Sequence, residues 1–343
     1  MSHRLHIAGW GAVSPAGWTS SDLFNAVLDQ RDLPASLELR HPDAPPIPCR
    51  RVPPIASPPL WLRQPRLRRS SPITRFAVAA ALEALQKPDQ PDASTTSIGV
   101  LFAVQNGSVN YSSRFFAEVL ANPGLASPIL FPETVFNAPS SHISSLLASP
   151  SLNNTLVSDA GGFITALDMA AQWLDDDLVT DCLIISAEEY DWLSAESLAL
   201  VPGPKIASEG AAALWLRRTE KPSPNDILLE QITEAATITN QQSRSTAIQK
   251  MHLDLAAPTH ATLISAESGH PTWDRPHSET FASWAGPRFT LQSQFGHGFS
   301  ILGGWQCALA CELLQRGVCH DAVVAADTGA NQAQATWFSR TSH

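Results

Sequence analysis

Residues 156–170 read LVSDAGGFITALDMA, and residues 181–189 read DCLIISAEE. The first stretch leaves a short strand near Thr155–Ser158. It turns through a glycine pair and enters a helix predicted over Gly161–Leu174. The second is a nearly continuous apolar run, which predicts a fully buried strand over Asp181–Ser186. Strand, turn, helix and buried strand form the unit from which α/β proteins with covered, mainly parallel sheets are built.

The same alternation extends outward in both directions. Upstream, Leu5–Val13 reads as a strand ending in the loop Ser14-Pro15-Ala16-Gly17, and Thr19-Ser20-Ser21-Asp22 caps a helix through Gln30. Residues 31–72 are rich in Pro and Arg, with little period, and read as an extended excursion over the surface. Ser70-Ser71-Pro72 opens the helix FAVAAALEAL with proline in its first turn. A buried strand over Ser97–Val104 follows, then helices over Tyr111–Leu120 and Asn137–Ala148. Downstream, Ala211–Leu216 is strand-like, and the polar, Pro-containing stretch 218–228 marks an internal boundary. The cycle then repeats. Strands are predicted near Ile227–Ile232, Ala261–Ser265, Asp321–Ala326 and Gln334–Phe338, with helices near Thr246–Leu253, His277–Trp284 and Ser300–Leu314. The chain therefore divides into halves, 1–218 and 219–343, that form one compact layered unit.

The bulk composition allows this. The 343 residues are 44% hydrophobic, ample for a large core. A net charge of −10 argues against a nucleic-acid binder. The opening MSHRLHIAGWG is too short and too interrupted for a signal peptide, and no apolar run approaches a membrane span. The five cysteines, Cys49, Cys182, Cys307, Cys311 and Cys319, are odd in number and scattered, and read as reduced core thiols of a cytoplasmic protein. Cys307 and Cys311 share a helix face, but no nearby His or Cys pair completes a metal site with them.

Several stretches, in order and over nearly the whole chain, resemble the β-ketoacyl synthases. IAGWGAVSPAG resembles the family's opening strand and loop, and SSPITRFAVAAALEAL its helix after a basic docking stretch. FPETVFNAPSSHISSLL resembles the segment before the nucleophile, LVSDAGGFITALDMA the nucleophile elbow, and DCLIISAEE the strand behind it. ASEGAAALWLRR resembles the Gly-Glu-Gly strand, and FGHGFSILGGWQCALA the second-histidine loop and its helix. The resemblance implies a thiolase-like αβαβα fold made of two duplicated halves with mainly parallel mixed sheets.

It also implies chemistry that this chain has lost. In the family a cysteine thiolate at a helix N-terminus takes an acyl chain from a carrier protein, and two histidines assist decarboxylation and stabilise the oxyanion. The pattern T-A-C-A-S-G falls on Asp159-Ala160-Gly161-Gly162-Phe163-Ile164, so the cysteine position is Gly161. The first-histidine loop falls on Ala266 to Asp274 and puts Glu267 where the histidine belongs, although a one-step shift would bring His270 there. K-S-x-x-G-H falls on Gln292-Ser293-Gln294-Phe295-Gly296-His297: the histidine survives and the lysine does not. The Gly-rich loop near the C-terminus is reduced to Thr328-Gly329-Ala330-Asn331. A relocated nucleophile is not expected: Cys182 sits mid-strand, Cys307 and Cys311 face a helix core, and of these and Cys49 in the Pro-rich stretch only Cys49, beside Arg50-Arg51, has basic neighbours.

A condensing enzyme without its nucleophile is similar to the chain-length factor, the non-condensing half of a ketosynthase heterodimer in type II polyketide, aryl-polyene or fatty-acid-like pathways. That resemblance implies an active cysteine-bearing ketosynthase subunit and an acyl carrier protein as partners, and no cofactor or metal. Well-known chain-length factors often carry Gln at the cysteine position, from which this chain departs. The resemblance sets Thr155-Leu156-Val157-Ser158 at a dimer interface and Arg63, Arg66, Arg68 and Arg69 at a carrier-docking face. Tyr111, Phe115, Phe116 and Leu120 share a helical face, a pattern that ordinarily packs into a core; the resemblance alternatively puts them beside an acyl tunnel. His142 reads as a core histidine with a satisfied ring, and His297 as a cap or a retained active-site group. Two other functions fit: an acyltransferase or esterase using Ser158, Asp159 and His297, and a non-catalytic homodimer that binds acyl chains or carrier protein.

Overall fold

The structure is a computed structural model that describes residues 4–38, 46–86, 98–200, 206–326 and 331–341. The first half runs β1 (Arg4–Val13), α1 (Ser20–Leu28), β2 (Ser36–Glu38), β3 (Ile47–Arg50), α2 (Pro72–Ala84), β4 (Ile98–Val104) and α3 (Val109–Ala121). It continues with α4 (Ala138–Leu146), β5 (Asn153–Val157), α5 (Gly162–Asp175), β6 (Asp181–Glu188), α6 (Trp192–Ala199), β7 (Ala207–Ser208) and β8 (Gly210–Thr219). The second half runs β9 (Ile227–Ile232), β10 (Ala236–Thr237), α7 (Gln241–Asp254), β11 (Thr262–Ser265) and α8 (Pro271–Thr280). It ends with β12 (Arg288–Thr290), α9 (Gln292–Phe295), α10 (Ile301–Gln315), β13 (Asp321–Ala326) and β14 (Gln332–Arg340).

The main sheet has the order β12-β11-β13-β14-β9-β1-β8-β6-β4-β5, with β10 beside β14. Read inward from either end, the two sides repeat one another. β5-β4-β6-β8-β1 and β12-β11-β13-β14-β9 use their strands in the same chain order and with the same senses. The outer pairs are parallel, and the pairs nearer the centre are antiparallel. β1 and β9 join the two sides antiparallel. The mixed, duplicated fold expected from the sequence is therefore present.

Helices α5 and α10 pack on each other and on strands of both sides, forming the central layer. α2 and α4 cover the outer face of the first half, and α7 and α8 that of the second. All of α10 but Gln315 is buried, which is why its sequence is apolar all round rather than striped. It lies so close to the sheet that a Cβ on Gly304 would come within 2.6 Å of the Ala212 Cβ. Trp305, fully buried, donates its indole N–H to the carbonyls of Val13 (2.9 Å) and Ala211 (3.1 Å), tying α10 to two strands.

Local signals act where they were read. Thr19 and Asp22 form a reciprocal capping box at the start of α1. Pro72 stands in the first turn of α2. Two readings change. The Pro-rich stretch is not only a surface excursion: Trp61 and Leu67 are buried, and β3, which carries buried Cys49, joins β2 and β7 in a small sheet. The helix read near His277–Trp284 instead starts at Pro271 and ends at Thr280, because proline suits a first helical turn, where its missing N–H would bond nothing.

Candidate functional site

α5 begins immediately after the turn 158–161, and Gly161 is its N-cap, with helical backbone angles. Its N–H donates to Asp159 Oδ1 (2.9 Å), and the other oxygen of Asp159 takes the N–H of Asn331. The turn is thereby fastened to the start of β14. From β14, Gln332 reaches over Gly161: a Cβ built on Gly161 would lie 2.9 Å from Gln332 Nε2 and 3.2 Å from its Cγ. That amide donates to Thr165 Oγ1 at 2.6 Å. A side chain from the opposite half thus fills the space above a residue with no side chain. Of the reduced Gly-rich loop, residues 328–330 lie outside the described residues.

Beside this turn is a cavity of about 530 Å³. Its walls come from Gln105 and Asn106 after β4, Ala160 before α5, Ser194 and Leu198 on α6, Trp273 on α8, and His297 and Phe299 before α10. Its support is a buried carboxylate. Glu188, at the end of β6, accepts from the N–H groups of Gln105 (2.6 Å) and Asn106 (3.1 Å) and from Ser300 Oγ (2.5 Å). Burial pushes its carboxyl up to about 7 against the pull of these donors. One carboxyl therefore holds two walls of the cavity in register.

The expected family positions separate. His297 lines the cavity; its Nδ1 accepts the Phe299 N–H at 3.3 Å, and its backbone bridges to Ile206 and Ser208. Glu267 does not line it. Ser278 Oγ bonds Glu267 at 2.5 Å, and the buried His277 imidazole lies 3.8 Å away. His277 and Ser278 together hold the Glu267 carboxyl down to about 2. His270 is the N-cap of α8 and does not line the cavity either, so neither loop alignment sets a histidine opposite His297. Ser158 ends the β5 segment with its N–H on the Val104 carbonyl, outside the cavity that His297 lines.

No cysteine takes over. Cys49, Cys182, Cys307 and Cys311 are buried, and burial pushes each thiol above its ordinary value, the reverse of an activated thiolate. Cys49 packs under Ser36 at 3.2 Å rather than presenting sulfur to solvent.

The aromatic face of α3 is not core. No residue of α3 is buried; Phe116 is 62% exposed and Leu120 71%. Phe115 packs on Phe131 (centroids 5.5 Å apart), and the Tyr111 hydroxyl faces the Ser70 carbonyl at 3.5 Å. With Leu125, Phe131 and Phe136, these residues contribute to a wide apolar exposure. β5 pairs only with β4 among the described residues, so its outer edge is open, with Val157 55% exposed. Thr155 is tied inward through Ser140 Oγ (3.1 Å), and Leu156 packs partly on the core. Arg63, Arg66, Arg68 and Arg69 are all exposed on two short 3₁₀ turns. His142 bonds Glu133 through Nε2 at 2.7 Å and lines a second cavity instead of sitting in the core. Sequence reading missed α6, capped by Asp191, because its Ser- and Glu-broken pattern carries little amphipathic signal.

No protein-family model matches the chain, and no curated protein sequence matches it. Solved structures do. The ishigamide ketosynthase/chain length factor superposes with a TM-score of 0.81 at 17% identity, covering 99% of this chain and 100% of that one. The chain has the ketosynthase fold. A Xenorhabdus doucetiae ketosynthase in complex with its chain length factor gives a TM-score of 0.79 at 14% identity, over 99% of this chain and 98% of that one. A ketosynthase solved with its type II acyl-carrier protein gives 0.82 at 16%, over 99% and 100%. In this ketosynthase fold the start of the central helix α5 carries Gly161 and no thiol. No helix among the described residues is long and apolar enough to cross a membrane.

Proposed function

We propose that this chain is the non-condensing subunit of a ketosynthase heterodimer, a chain-length factor of type II polyketide or fatty-acid-like biosynthesis in the cytoplasm. The observation that carries the reading is Gly161: the helix start that would activate a thiol has none, Gln332 fills the space, and the described cysteines at other positions are burial-suppressed. The open β5 edge and the apolar side chains of α3 support a second subunit of like fold. Unpaired strand edges and apolar patches of this kind otherwise favour aggregation. In the proposed heterodimer Tyr111, Phe115 and Phe116 approach the partner's acyl tunnel, and Arg63, Arg66, Arg68 and Arg69 draw in an acidic carrier protein. Reconstitution tests this. Neither this chain nor a cysteine-less ketosynthase should condense, and the chain with an intact cysteine-bearing ketosynthase should. A covalent acyl adduct on this chain alone, seen by intact mass, contradicts it.

A further inference from the structure

A second cavity, separate from the one beside Gly161, measures about 610 Å³ and lies between the Arg66–Arg69 turn, the segment 129–135 and α4. Its inner wall holds Glu133, which accepts from Ser71 N–H (2.9 Å), Ser71 Oγ (3.0 Å), Thr74 Oγ1 (3.3 Å) and His142 Nε2 (2.7 Å). Burial alone would raise the Glu133 carboxyl, but the His142 imidazole and the Ser71 donors outweigh it and hold it below its ordinary value. Its negative charge is therefore spent inside the wall. His142, fixed through Nε2, keeps Nδ1 uncommitted to any described residue while its ring lines the cavity.

The mouth has the opposite character. Arg66 and Arg69 line it, and neither pairs with a carboxylate among the described residues. Arg66 is anchored by Nη1 to Ser145 Oγ (3.0 Å), which pre-sets its direction. Between mouth and wall lie Ile129 and Val135, both exposed apolar side chains. Two guanidinium groups beside an apolar slot, in a chain of net charge −10, select one chemistry. We propose that this cavity binds a small anionic amphiphile, a carboxylate or phosphate head held by Arg66 and Arg69 with a short acyl tail along Ile129 and Val135. The proposal does not need the heterodimer and uses a different site from the cavity beside Gly161, but it shares Arg66 and Arg69 with the carrier-docking reading.

The test is calorimetric titration of the intact chain with octanoate, octyl phosphate and octan-1-ol. Both anions should saturate one site, and the tighter of the two identifies the head group. The alcohol should bind at least about tenfold more weakly, as loss of charge-assisted hydrogen bonds demands. Arg66→Ala and Arg69→Ala should each weaken the anions by about tenfold or more. Arg63→Ala and Arg68→Ala, outside the cavity lining, should leave them unchanged, although carrier docking would suffer. These side chains are exposed, so the variants keep the fold. Equal binding of the alcohol, no saturation by either anion, or indifference to Arg66 and Arg69 would overturn the proposal. Carrier association that survives Arg63→Ala and Arg68→Ala, with anion binding intact, would count against the carrier reading alone.

Discussion

Gly161 leaves the start of α5 without a side chain, and Gln332 occupies the space above it. Introducing a thiol with Gly161→Cys requires Gln332 to yield its place and its bond to Thr165, at a cost of about 1 kcal/mol. We predict that Gly161→Cys remains without synthase activity and forms no acyl adduct, because Glu267 is turned onto Ser278 and His277 and gives the oxyanion no support. Pairing it with Gln332→Ala should speed iodoacetamide labelling of the new thiol without restoring condensation, and activity in either variant would contradict the assignment. The sequence showed that the thiol was missing; it could not show the plug, since Gln332 lies far along the chain and reaches the elbow only through the duplicated fold. Buried carboxyls supply a second prediction at this scale. Burial raises Glu83, Glu188 and Glu189 to about 7, so the folded state holds their protons more tightly than the unfolded chain does. Their contribution is fully present below about 4.5 and is lost as pH rises through 7. Glu267, lowered to about 2, acts in the other sense, and its contribution is lost as pH falls from 4.5 towards 2. Melting followed by circular dichroism should thus be most favourable between these limits. Glu188→Gln should reduce the loss of stability from pH 6 to pH 8, and an unchanged slope would show that Glu188 does not titrate there.

At the scale of elements, strand and helix order was legible because buried strands are continuous apolar runs and capping signals such as Thr19–Asp22 sit at helix starts. The helical face of Tyr111, Phe115 and Phe116 was not interpretable in the same way, since apolar spacing is identical whether the cover is the chain's own core or another subunit. The structure exposes α3, which sets a clear expectation. Phe116→Ala should change the stability of the isolated chain by no more than about 0.5 kcal/mol, the range of surface substitutions, rather than the roughly 3–5 kcal/mol of an emptied core site. The reconstituted pair should then give longer products, read by mass spectrometry; a destabilised chain with unaltered products would return Phe116 to the core. Trp305→Ala, which empties a fully buried site in α10, should cost that larger amount in chemical denaturation. On the 3₁₀ turns before α2, Arg66→Glu, Arg68→Glu and Arg69→Glu together should weaken carrier-protein association and flatten its salt dependence. Unchanged affinity at low salt would make them ordinary surface charges.

For the whole molecule, the repeated strand order explains why the fold does not depend on a thiol at position 161. Each half buries its central helix against the other, so α5 and α10 are needed for the core whether or not Gly161 carries a thiol. The outer edge at β5 and the uncovered α3 are left over from that internal packing, and the proposed like-folded second subunit would cover both strand edge and apolar face. The decisive measurement is size-exclusion chromatography with light scattering on the chain expressed alone and with a cysteine-bearing ketosynthase. The account predicts no stable monomer alone and a one-to-one complex in the co-expression, with condensation that disappears when the ketosynthase's cysteine is replaced. A monodisperse, well-folded monomer that ignores the ketosynthase would contradict it.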